Sequence, residues 1–426
     1  MRVRTGLVTV ASILASIAIP AYADCTGPVT PLHALSTLSG HERVAVRGVI
    51  TAVFPGLKGF FVEAPHADWD ANPVTSEAVF VYRGRHSLHL AAGTRIAFSA
   101  GYRRFHGVPE LSHVRGLHRC GHTVLPPFIR VQLPPAPGAW AALLGMRVRI
   151  MQALTVDDLG DFVRYGEVQV SAGGRHYAAT ALSAPGPEAR ALTAAASGRS
   201  LWLDDGSTQP HPAVLRLGKL HFDAKHPLRA GQVLHAVTGM AHHAFGRNLL
   251  EVTALERDAG ANPRRKVSDL HLPPGLRVVS FNVQNYFNRA LTGPIFPTER
   301  GAHNASQFHC QTQKLVAALS ALHPAVAGLQ EIENNGYGAA GALATLVRAL
   351  DLRLPSAAYR YLRPPHRHRL GTDLIAPALI YDAHQVTPVG RIAVLEAPVD
   401  NRALDEGLPR PALAANFRRR DNGAVF

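Results

Sequence analysis

The stretch GLQEIENNGYG, residues 328–338, places two carboxylates where an apolar run ends. Residues 325–329 have the composition of a buried strand, and Glu331 and Glu333 follow it directly. Polar side chains at the carboxyl end of a strand in an α/β layer border the crevice where such folds bind ligands. A carboxylate in this position can also simply cap a turn. The stretch therefore has two interpretations, a ligand site and a structural turn.

A second polar side chain ends an earlier apolar run in the same way. Asn282 closes VVSFN, and residues 311–322 between the two runs have the apolar spacing of a helix. If the helix joins the two strands as parallel neighbours, Asn282 and Glu331 converge at one edge. Carboxylate and amide oxygens suit Mg²⁺ or Mn²⁺, and Ca²⁺ is compatible with them. Such an ion could polarise a phosphate, generate hydroxide or stabilise a leaving alkoxide.

The rest of the chain divides into segments that differ in composition and in hydrophobic pattern. Residues 24–130 and 131–256 contain short alternating runs broken by Gly and Pro, which predicts two β-rich, barrel-like domains. RVAVRGVITAVF in the first has a faint counterpart in GQVLHAVTGMAHHAFG in the second, and LDDGS at 203–207 predicts a tight hairpin rather than a calcium loop. Residues 257–275 are polar, basic and Pro-rich and predict a linker. From 276 to 426, alternating strand and helix patterns predict an α/β layer.

The N-terminus indicates export. Arg2 and Arg4 precede an apolar segment, and Ala21-Tyr22-Ala23 supplies small residues three apart, which predicts a signal peptide over 1–23 with cleavage after Ala23. The apolar run is too short for a membrane anchor, and no later stretch is long and apolar enough to cross a bilayer. The sequence therefore predicts a secreted protein, extracellular or periplasmic, without stable membrane insertion.

Export places the cysteines in an oxidising compartment. Cys25 and Cys120 lie at the two ends of the first predicted domain, so a disulfide between them is a candidate. Cys310 is then left without a partner, which is unusual in a secreted protein.

The charge balance indicates the kind of partner. The 426 residues carry a formal net charge of +14, and 23 histidines can add positive charge when they are protonated. Hydrophobic residues make up 47% of the chain, which is enough for packed cores. A basic surface attracts nucleic acid, anionic lipid headgroups or acidic polysaccharide, and charge alone does not choose among them. The oligomeric state has no signature in the sequence.

Several of these segments together resemble a known family. LRVVSFNVQNYF, RGAHNASQFHCQTQKLVAALSALHPAVAGLQEIENNGYG and LGTDLIAPALIYDAHQVTPVG resemble the endonuclease/exonuclease/phosphatase superfamily, which has the deoxyribonuclease I-like fold. GFFVEAP and LWLDDGS are similar to the OB-like domains that precede the catalytic domain in bacterial extracellular nucleases. The resemblance implies two OB-like β domains followed by part of an α/β four-layer sandwich.

The resemblance also implies roles for individual residues. Asn282 and Glu331 would be catalytic and would hold the metal, with Glu331 as the metal-ligand glutamate. Three further positions match the motifs near the site and would contact substrate: Asn285, Arg300 and Asp373. Glu333 is expected to point to the face opposite Glu331. With its neighbours Asn334 and Asn335 it would shape the turn rather than bind metal.

Part of the family's catalytic set does not occur in this sequence. The family also uses a histidine in an NH-K strand, an Asp/Asn pair in a GD-N segment and a late DH pair, which supply acid–base chemistry and transition-state contacts. These motifs would follow Phe426. The expectation is therefore a partial catalytic domain with impaired activity, and a partner for Cys310 in the absent half.

The sequence thus predicts a secreted, metal-dependent nuclease acting on extracellular DNA, with RNA as a further substrate class. The alternatives are a non-catalytic secreted nucleic-acid-binding protein and a phosphodiesterase acting on a phospholipid or sugar phosphate. Four aromatic residues of the first β domain are candidates for stacking on bases: Phe60, Phe61, Tyr82 and Tyr102. Aromatic residues at alternate positions of a strand are more often part of the core. Because adjacent strand residues face opposite sides, at most one of Phe60 and Phe61 is expected in the core.

Overall fold

The computed structural model describes residues 24–70, 72–84, 89–223, 225–258, 269, 273–395 and 410–426. The predicted signal peptide, residues 1–23, and most of the predicted linker, residues 257–275, lie outside these described residues. The chain divides into two compact units, Met1–Pro263 and Arg264–Phe426, so the division falls inside the predicted linker. Both units contain β-sheets, and the protein is β-rich with several sheets. No described helix combines the length and apolarity needed to cross a bilayer.

The first unit begins with a closed barrel of five strands. They are β1 (Arg43–Phe54), β2 (Gly59–Glu63), β3 (Ala78–Tyr82), β4 (Thr94–Phe105) and β5 (Val108–His122). The barrel order is β1-β2-β3-β5-β4; only β3 and β5 run parallel, and β1 pairs with β4 to close the barrel. The alternating pattern of these strands produces the barrel, because one set of side chains, including Val46, Ile50 and Phe98, fills its interior.

The aromatic residues of this barrel are more deeply buried than the sequence predicted. Phe60 packs inside the barrel, whereas Phe61 is equally buried on the outer side, with its ring centroid 5.0 Å from that of Phe80. The expectation that at most one of the two phenylalanines is core is therefore wrong, because a second apolar cluster covers the outer face. Tyr102 is also buried. These three rings are not exposed for stacking on bases.

A second sheet of seven strands follows in the same unit, in the order β14-β10-β9-β8-β13-β7-β6. Its strands are β6 (Ile129–Val131), β7 (Arg147–Ile150), β8 (Leu154–Asp158), β9 (Val168–Ala172), β10 (Ser200–Asp204), β13 (Val233–Ala244) and β14 (Arg247–Arg257). A small hairpin of β11 (Leu215–Leu217) and β12 (Leu220–Phe222) and the helices α1 (Phe162–Tyr165) and α2 (Pro187–Gly198) accompany it. Short 3₁₀ helices lie at His33–Thr37, Pro55–Leu57, His66–Asp68, Ala141–Leu143 and Ala179–Ala181.

The second sheet repeats the pairing of the barrel. The place of β1 is taken by β7 and β8 together. In the same way β9 corresponds to β2, β10 to β3, β13 to β4 and β14 to β5. The parallel pair recurs between β10 and β14. Both final hairpins also turn over two residues, His106-Gly107 and Phe245-Gly246. The repeat noted in the sequence paired β1 with the β13 segment; the strand order corrects this, because β13 corresponds to β4.

The two β domains predicted from the sequence form one unit. Phe54, Phe61 and Phe80 of the barrel pack with Met240 of β13 in a shared apolar cluster. The LDDGS turn is part of the same contact: Gly206 has a φ of 78°, and a Cβ there would collide with the ring of Phe54. The sequence predicted that this turn closes a hairpin, and that prediction is wrong. Strand β10 pairs with β9 and β14, and the chain that follows β10 continues as a loop.

The second unit is built on a four-stranded sheet in the order β15-β16-β18-β17. Its strands are β15 (Val278–Tyr286), β16 (Val326–Glu333), β17 (Tyr359–Tyr361) and β18 (Ile375–Asp382), and a separate pair is formed by β19 (Val386–Leu395) and β20 (Ala412–Arg419). The helices α3 (Ala305–Leu322) and α4 (Ala342–Arg353) share one apolar core with this sheet. The strand and helix patterns read from this part of the sequence are confirmed.

Helix α3 connects β15 to β16, so its ends decide where the two strands lie. Asn304 begins the helix, and its side chain accepts a hydrogen bond from the backbone N–H of Gln307. Leu315, Val316 and Leu319 form its buried stripe, as the apolar spacing predicted. His323 ends the helix in a left-handed conformation, and β16 begins three residues later. A helix crossover of this kind joins parallel strands.

Candidate functional site

The two polar side chains singled out in the sequence lie on adjacent parallel strands. β15 and β16 pair in register from Val278 with Val326 to Asn282 with Gln330. Glu331 therefore follows directly after the partner of Asn282, at the carboxyl edge of the sheet. The predicted arrangement of two parallel strands joined by the intervening helix is confirmed.

The strand pairing is interrupted at this edge. After Asn282 with Gln330, the next pair is Tyr286 with Ile332, so β15 has three residues opposite one residue of β16. Glu331 has a φ of 64°. A left-handed conformation costs a residue other than glycine about 1–2 kcal/mol, and such strain is concentrated at functional sites. The backbone conformation at position 331 favours glycine, yet the residue there is a glutamate.

Opposite Glu331, the bulged part of β15 is held by side chains. Gln284 and Asn285 are also left-handed, with φ of 52° and 54°. The side-chain amide of Gln311, on α3, donates to the carbonyls of Val283 and Gln284 at 3.0 and 2.9 Å. Asn282 Oδ1 accepts from the backbone N–H of Gln284 at 2.7 Å. Gln311 was not predicted from the sequence. The one sequence signal for it is an amide side chain in the first half of the predicted helix, where it can face the end of the strand.

The donor atoms present fit a hard divalent cation. Glu331 is half-buried, and no hydrogen bond or ion pair joins its carboxylate to the residues that the structure describes. Asn282 is exposed, and its amide oxygen has a second lone pair beyond the one used by Gln284. A carboxylate and an amide oxygen, with water completing the shell, are the ligands that Mg²⁺ takes in proteins. No contact between the two side chains themselves is observed.

Glu333 differs from Glu331 in its burial and in its hydrogen bond to the backbone, although its Oε1 has no partner among the described residues. It is buried, with 3% of its surface exposed, and its Oε2 accepts from the backbone N–H of Asn288 at 2.8 Å. Burial raises the pKa of its carboxyl above the usual range. Residues two apart share a face in a regular strand, so alternation does not explain this difference. The left-handed Glu331 interrupts the pleat between them.

The two asparagines that follow shape the turn. Asn334 donates from Nδ2 to the carbonyls of Leu370 and Asp373 at 2.7 and 2.9 Å and accepts from the N–H of Leu370 at 3.1 Å. Asn335 accepts from the N–H of Ala342 at 2.9 Å, at the start of α4. Both side chains thus join the end of β16 to neighbouring chain segments.

Replacing Asn334 with alanine is expected to lower the free energy of unfolding of the second unit by about 2–3 kcal/mol. The substitution leaves buried backbone groups without hydrogen-bond partners, which costs more than the bonds contributed. Chemical denaturation followed by circular dichroism measures the change. Asn422→Ala, at an exposed position with one backbone bond, is the control and should change stability by less than about 0.5 kcal/mol. Equal effects for the two variants would contradict the role of Asn334.

The three residues predicted to contact substrate form a neighbouring group. Asp373 Oδ1 lies 3.3 Å from Nη1 of Arg300, and Oδ2 accepts from Nε of Arg410 at 2.9 Å. The Arg410 hydrogen bond lowers the pKa of Asp373 below its usual range. A Cβ on Gly301 would meet the carbonyl of Asn285 at 2.6 Å, so the chain next to Arg300 packs directly on Asn285. Arg410 was not predicted from the sequence.

This arrangement changes the expected role of Asp373. The Asp373 side chain is 11% exposed, and its carboxylate contacts two guanidinium groups. The side chain of Arg300 is 42% exposed and can still reach an anion. The geometry therefore fits Asp373 as the residue that positions Arg300. No hydrogen bond or ion pair among the described residues joins this group to Asn282 or Glu331.

A different cluster could hold an ion in the first unit. His33 Nδ1 lies 3.2 Å from Glu77 Oε2 and 3.9 Å from Asp70 Oδ2. Glu77 Oε1 accepts from the backbone N–H of Asp70, so both carboxylate oxygens of Glu77 already have partners. The cluster is explained by these internal contacts, and it belongs to the barrel rather than to the sheet that carries Glu331.

The sequence was compared with known families and proteins. No family model and no curated protein sequence matches this chain.

Proposed function

We propose that this protein is a secreted, metal-dependent nuclease that hydrolyses phosphodiester bonds in extracellular DNA, with RNA as a further substrate. The observation that carries the proposal is the half-buried, left-handed Glu331, without a partner among the described residues, beside Asn282 at the carboxyl edge of two parallel strands. Secretion rests on the sequence of residues 1–23.

We also propose a fold for each of the two units. The barrel order β1-β2-β3-β5-β4, repeated in the second sheet, supports two OB-like domains in the first unit. The β15-β16-β18-β17 sheet, packed against α3 and α4, supports a part of the deoxyribonuclease I-like sandwich in the second unit.

Each group of the site has a role in this proposal. Glu331 and Asn282 would hold Mg²⁺, which when bound supplies charge neutralisation for the phosphate and for the leaving oxygen. Arg300 would hold a phosphate oxygen, and Asp373 keeps the Arg300 guanidinium in place through the 3.3 Å ion pair. Gln311 fixes the bulged strand end, so that Asn282 is presented in one conformation.

The barrel offers a surface for the nucleic-acid backbone. Strand β5 exposes a row of basic and imidazole side chains within ten residues, His113, Arg115, His118, Arg119 and His122. Lysine, arginine and protonated histidine neutralise phosphates, and the formal net charge of +14 acts in the same direction. This row supports nucleic acid as the partner, and it would equally serve a non-catalytic nucleic-acid-binding protein.

Incubation with supercoiled plasmid distinguishes these functions. We expect the full chain to nick the plasmid with Mg²⁺ and not with EDTA, and to bind DNA with an affinity that falls steeply as salt rises. Agarose electrophoresis measures nicking, and fluorescence anisotropy with a labelled duplex measures binding. Salt-sensitive binding with no cleavage in Mg²⁺ would favour the non-catalytic protein and overturn the nuclease proposal.

A further inference from the structure

A cavity of about 610 Å³ lies in the first unit, lined by the β4–β5 hairpin and by the β13–β14 hairpin. This volume is in the range of sites for small organic ligands. Because the two hairpins occupy equivalent places in the repeated strand order, the cavity lies between matching parts of the barrel and of the second sheet. The proposed nuclease activity does not use it.

Buried titratable groups line this cavity. Glu251 is 1% exposed and Asp204 is 6% exposed, and both line the cavity with His242. His242 Nδ1 lies 2.6 Å from Glu251 Oε1. Asp204 and Glu251 are paired across β10 and β14, and their carboxyl groups interact. Glu251 Oε2 has no hydrogen-bond partner among the described residues. Two carboxylates in contact cannot both be ionised, so a proton or another cation must lie between them.

Burial favours the protonated forms of the two carboxyl groups and the neutral form of His242. Burial raises the pKa of Glu251 to about 8, raises that of Asp204 well above its usual value and lowers that of His242 to about 4. The other acids that face the pair are Asp205, Glu167 and Glu110, and Arg216 faces Asp205.

Two of the arginines near these acids are hydrogen-bonded to other carboxylates, and the third, Arg216, acts on Asp205. Arg103 donates to Glu110 at 2.7 Å, and Arg247 donates to Glu167 at 2.9 Å and to Asp161 at 3.0 Å. They therefore do not neutralise Asp204 and Glu251. A buried carboxyl pair on which no described arginine or lysine acts favours a positively charged ligand.

The walls and rim of the cavity are aromatic. Phe80, Tyr82 and Tyr165 line it, and Phe105 and Phe245 lie at the two hairpin ends with 49% and 79% of their surface exposed. Phe245 has a φ of 52° in a two-residue turn that asparagine or glycine normally occupies. An exposed aromatic residue in a strained conformation at a cavity rim is typical of a ligand contact rather than of a turn chosen for stability.

We propose that this cavity binds a small organic cation, an ammonium group on an aromatic or aliphatic body. The ammonium group takes the place of the proton between Asp204 and Glu251, and that proton leaves to solvent. The rings at the rim cover the body of the ligand and contribute cation–π attraction. A hydrated metal ion is a poorer match, because it needs several oxygen donors or waters where this cavity presents mostly apolar walls.

Calorimetric titration of the full chain with 4-phenylbutylamine tests the proposal, with the neutral 4-phenylbutanol for comparison. We expect the amine to bind at least about tenfold more tightly than the alcohol, since only the amine pairs with the carboxylates. When the titration is repeated at pH 7 in two buffers of different ionisation enthalpy, the binding enthalpies should differ by the amount expected for release of a proton to the buffer. Because the pair holds a proton below pH 8, amine affinity should rise with pH up to about 8 and then level off. Equal binding of amine and alcohol, or no proton release, would overturn the proposal.

Variants separate the site from a general effect on folding. Glu251→Gln should lower amine affinity at least about tenfold and abolish the proton release. Glu63→Gln is the matched control, because Glu63 is equally buried with a pKa raised to about 8 but does not line the cavity. Phe245→Asn, at the exposed rim, should weaken amine binding severalfold while raising the melting temperature by a few degrees, since asparagine tolerates the turn. Unchanged amine binding by Glu251→Gln would contradict the assignment.

Discussion

Replacing Glu331 with glutamine is expected to reduce Mg²⁺-dependent plasmid nicking by at least about a hundredfold, because the proposed metal site has Glu331 as its only charged ligand. Glutamine keeps the size and the backbone strain of the position and removes only the charge. Initial nicking rates measure catalysis, and Mn²⁺ binding followed by electron paramagnetic resonance measures the metal site without requiring turnover. We expect Mn²⁺ affinity to fall at least about tenfold in the same variant.

Two further variants give this prediction its controls. Glu331→Gly should also lose the metal but should raise the free energy of unfolding by about 1 kcal/mol, because glycine adopts the left-handed φ of 64° without strain. Asp421→Asn changes an exposed carboxylate of the same unit that pairs with Arg419, and it should nick plasmid like the unchanged chain. Retention of Mn²⁺ affinity in Glu331→Gln would remove the metal site, and with it the proposed chemistry.

Removal of the Cys25–Cys120 disulfide is expected to lower the free energy of unfolding of the first unit by about 4 kcal/mol. The bond closes a loop of 95 residues, and a loop of this length restricts the unfolded chain strongly. It also holds the N-terminal segment on the barrel, where Arg47 donates to the carbonyl of Cys25 at 3.0 Å and Cys120 packs against Ala45 and Ala97. The double substitution Cys25→Ser, Cys120→Ser should lower the melting temperature by about 10 °C.

Differential scanning calorimetry can follow this change separately from the rest of the chain, since the two units are compact by themselves. The transition of the second unit should not move. Cys310→Ser is the control, because Cys310 is an exposed, free thiol among the described residues. A first-unit transition that shifts no more than in this control would show that the disulfide contributes nothing to stability.

The sequence patterns of the second unit were strong because they are local. The apolar spacing of residues 311–322 and the apolar runs that end at Asn282 and Glu331 depend on neighbours within one element, so each element could be recognised separately. The helix between the two runs then predicted their parallel pairing, which the structure confirms. The roles of Asn334 and Asn335 as turn residues followed from the same local chemistry, since a buried amide can satisfy two chain segments at once.

Contacts between distant segments were not accessible in the same way. Arg410 reaches Asp373 across 37 residues, and Gln311 supports β15 from the next helix, yet neither residue type is unusual for its position. The burial of Phe61 depends on Met240, which lies in a different sheet. An alternating strand has the same pattern whether its outer face meets water or another domain, and this is why the two β domains were predicted as separate.

By itself the sequence determined the main strands and helices of the α/β layer, which polar residues end its strands, and which cysteines could pair. Only the tertiary structure decided that Glu331 is left-handed and has no partner among the described residues, whereas Glu333 is buried and hydrogen-bonded. It also brought Asp204 and Glu251 together beneath two aromatic hairpin ends. The physical reason is the range of the interactions: periodicity and capping act within a few residues, whereas backbone strain and carboxyl contacts are set by pairings between distant strands.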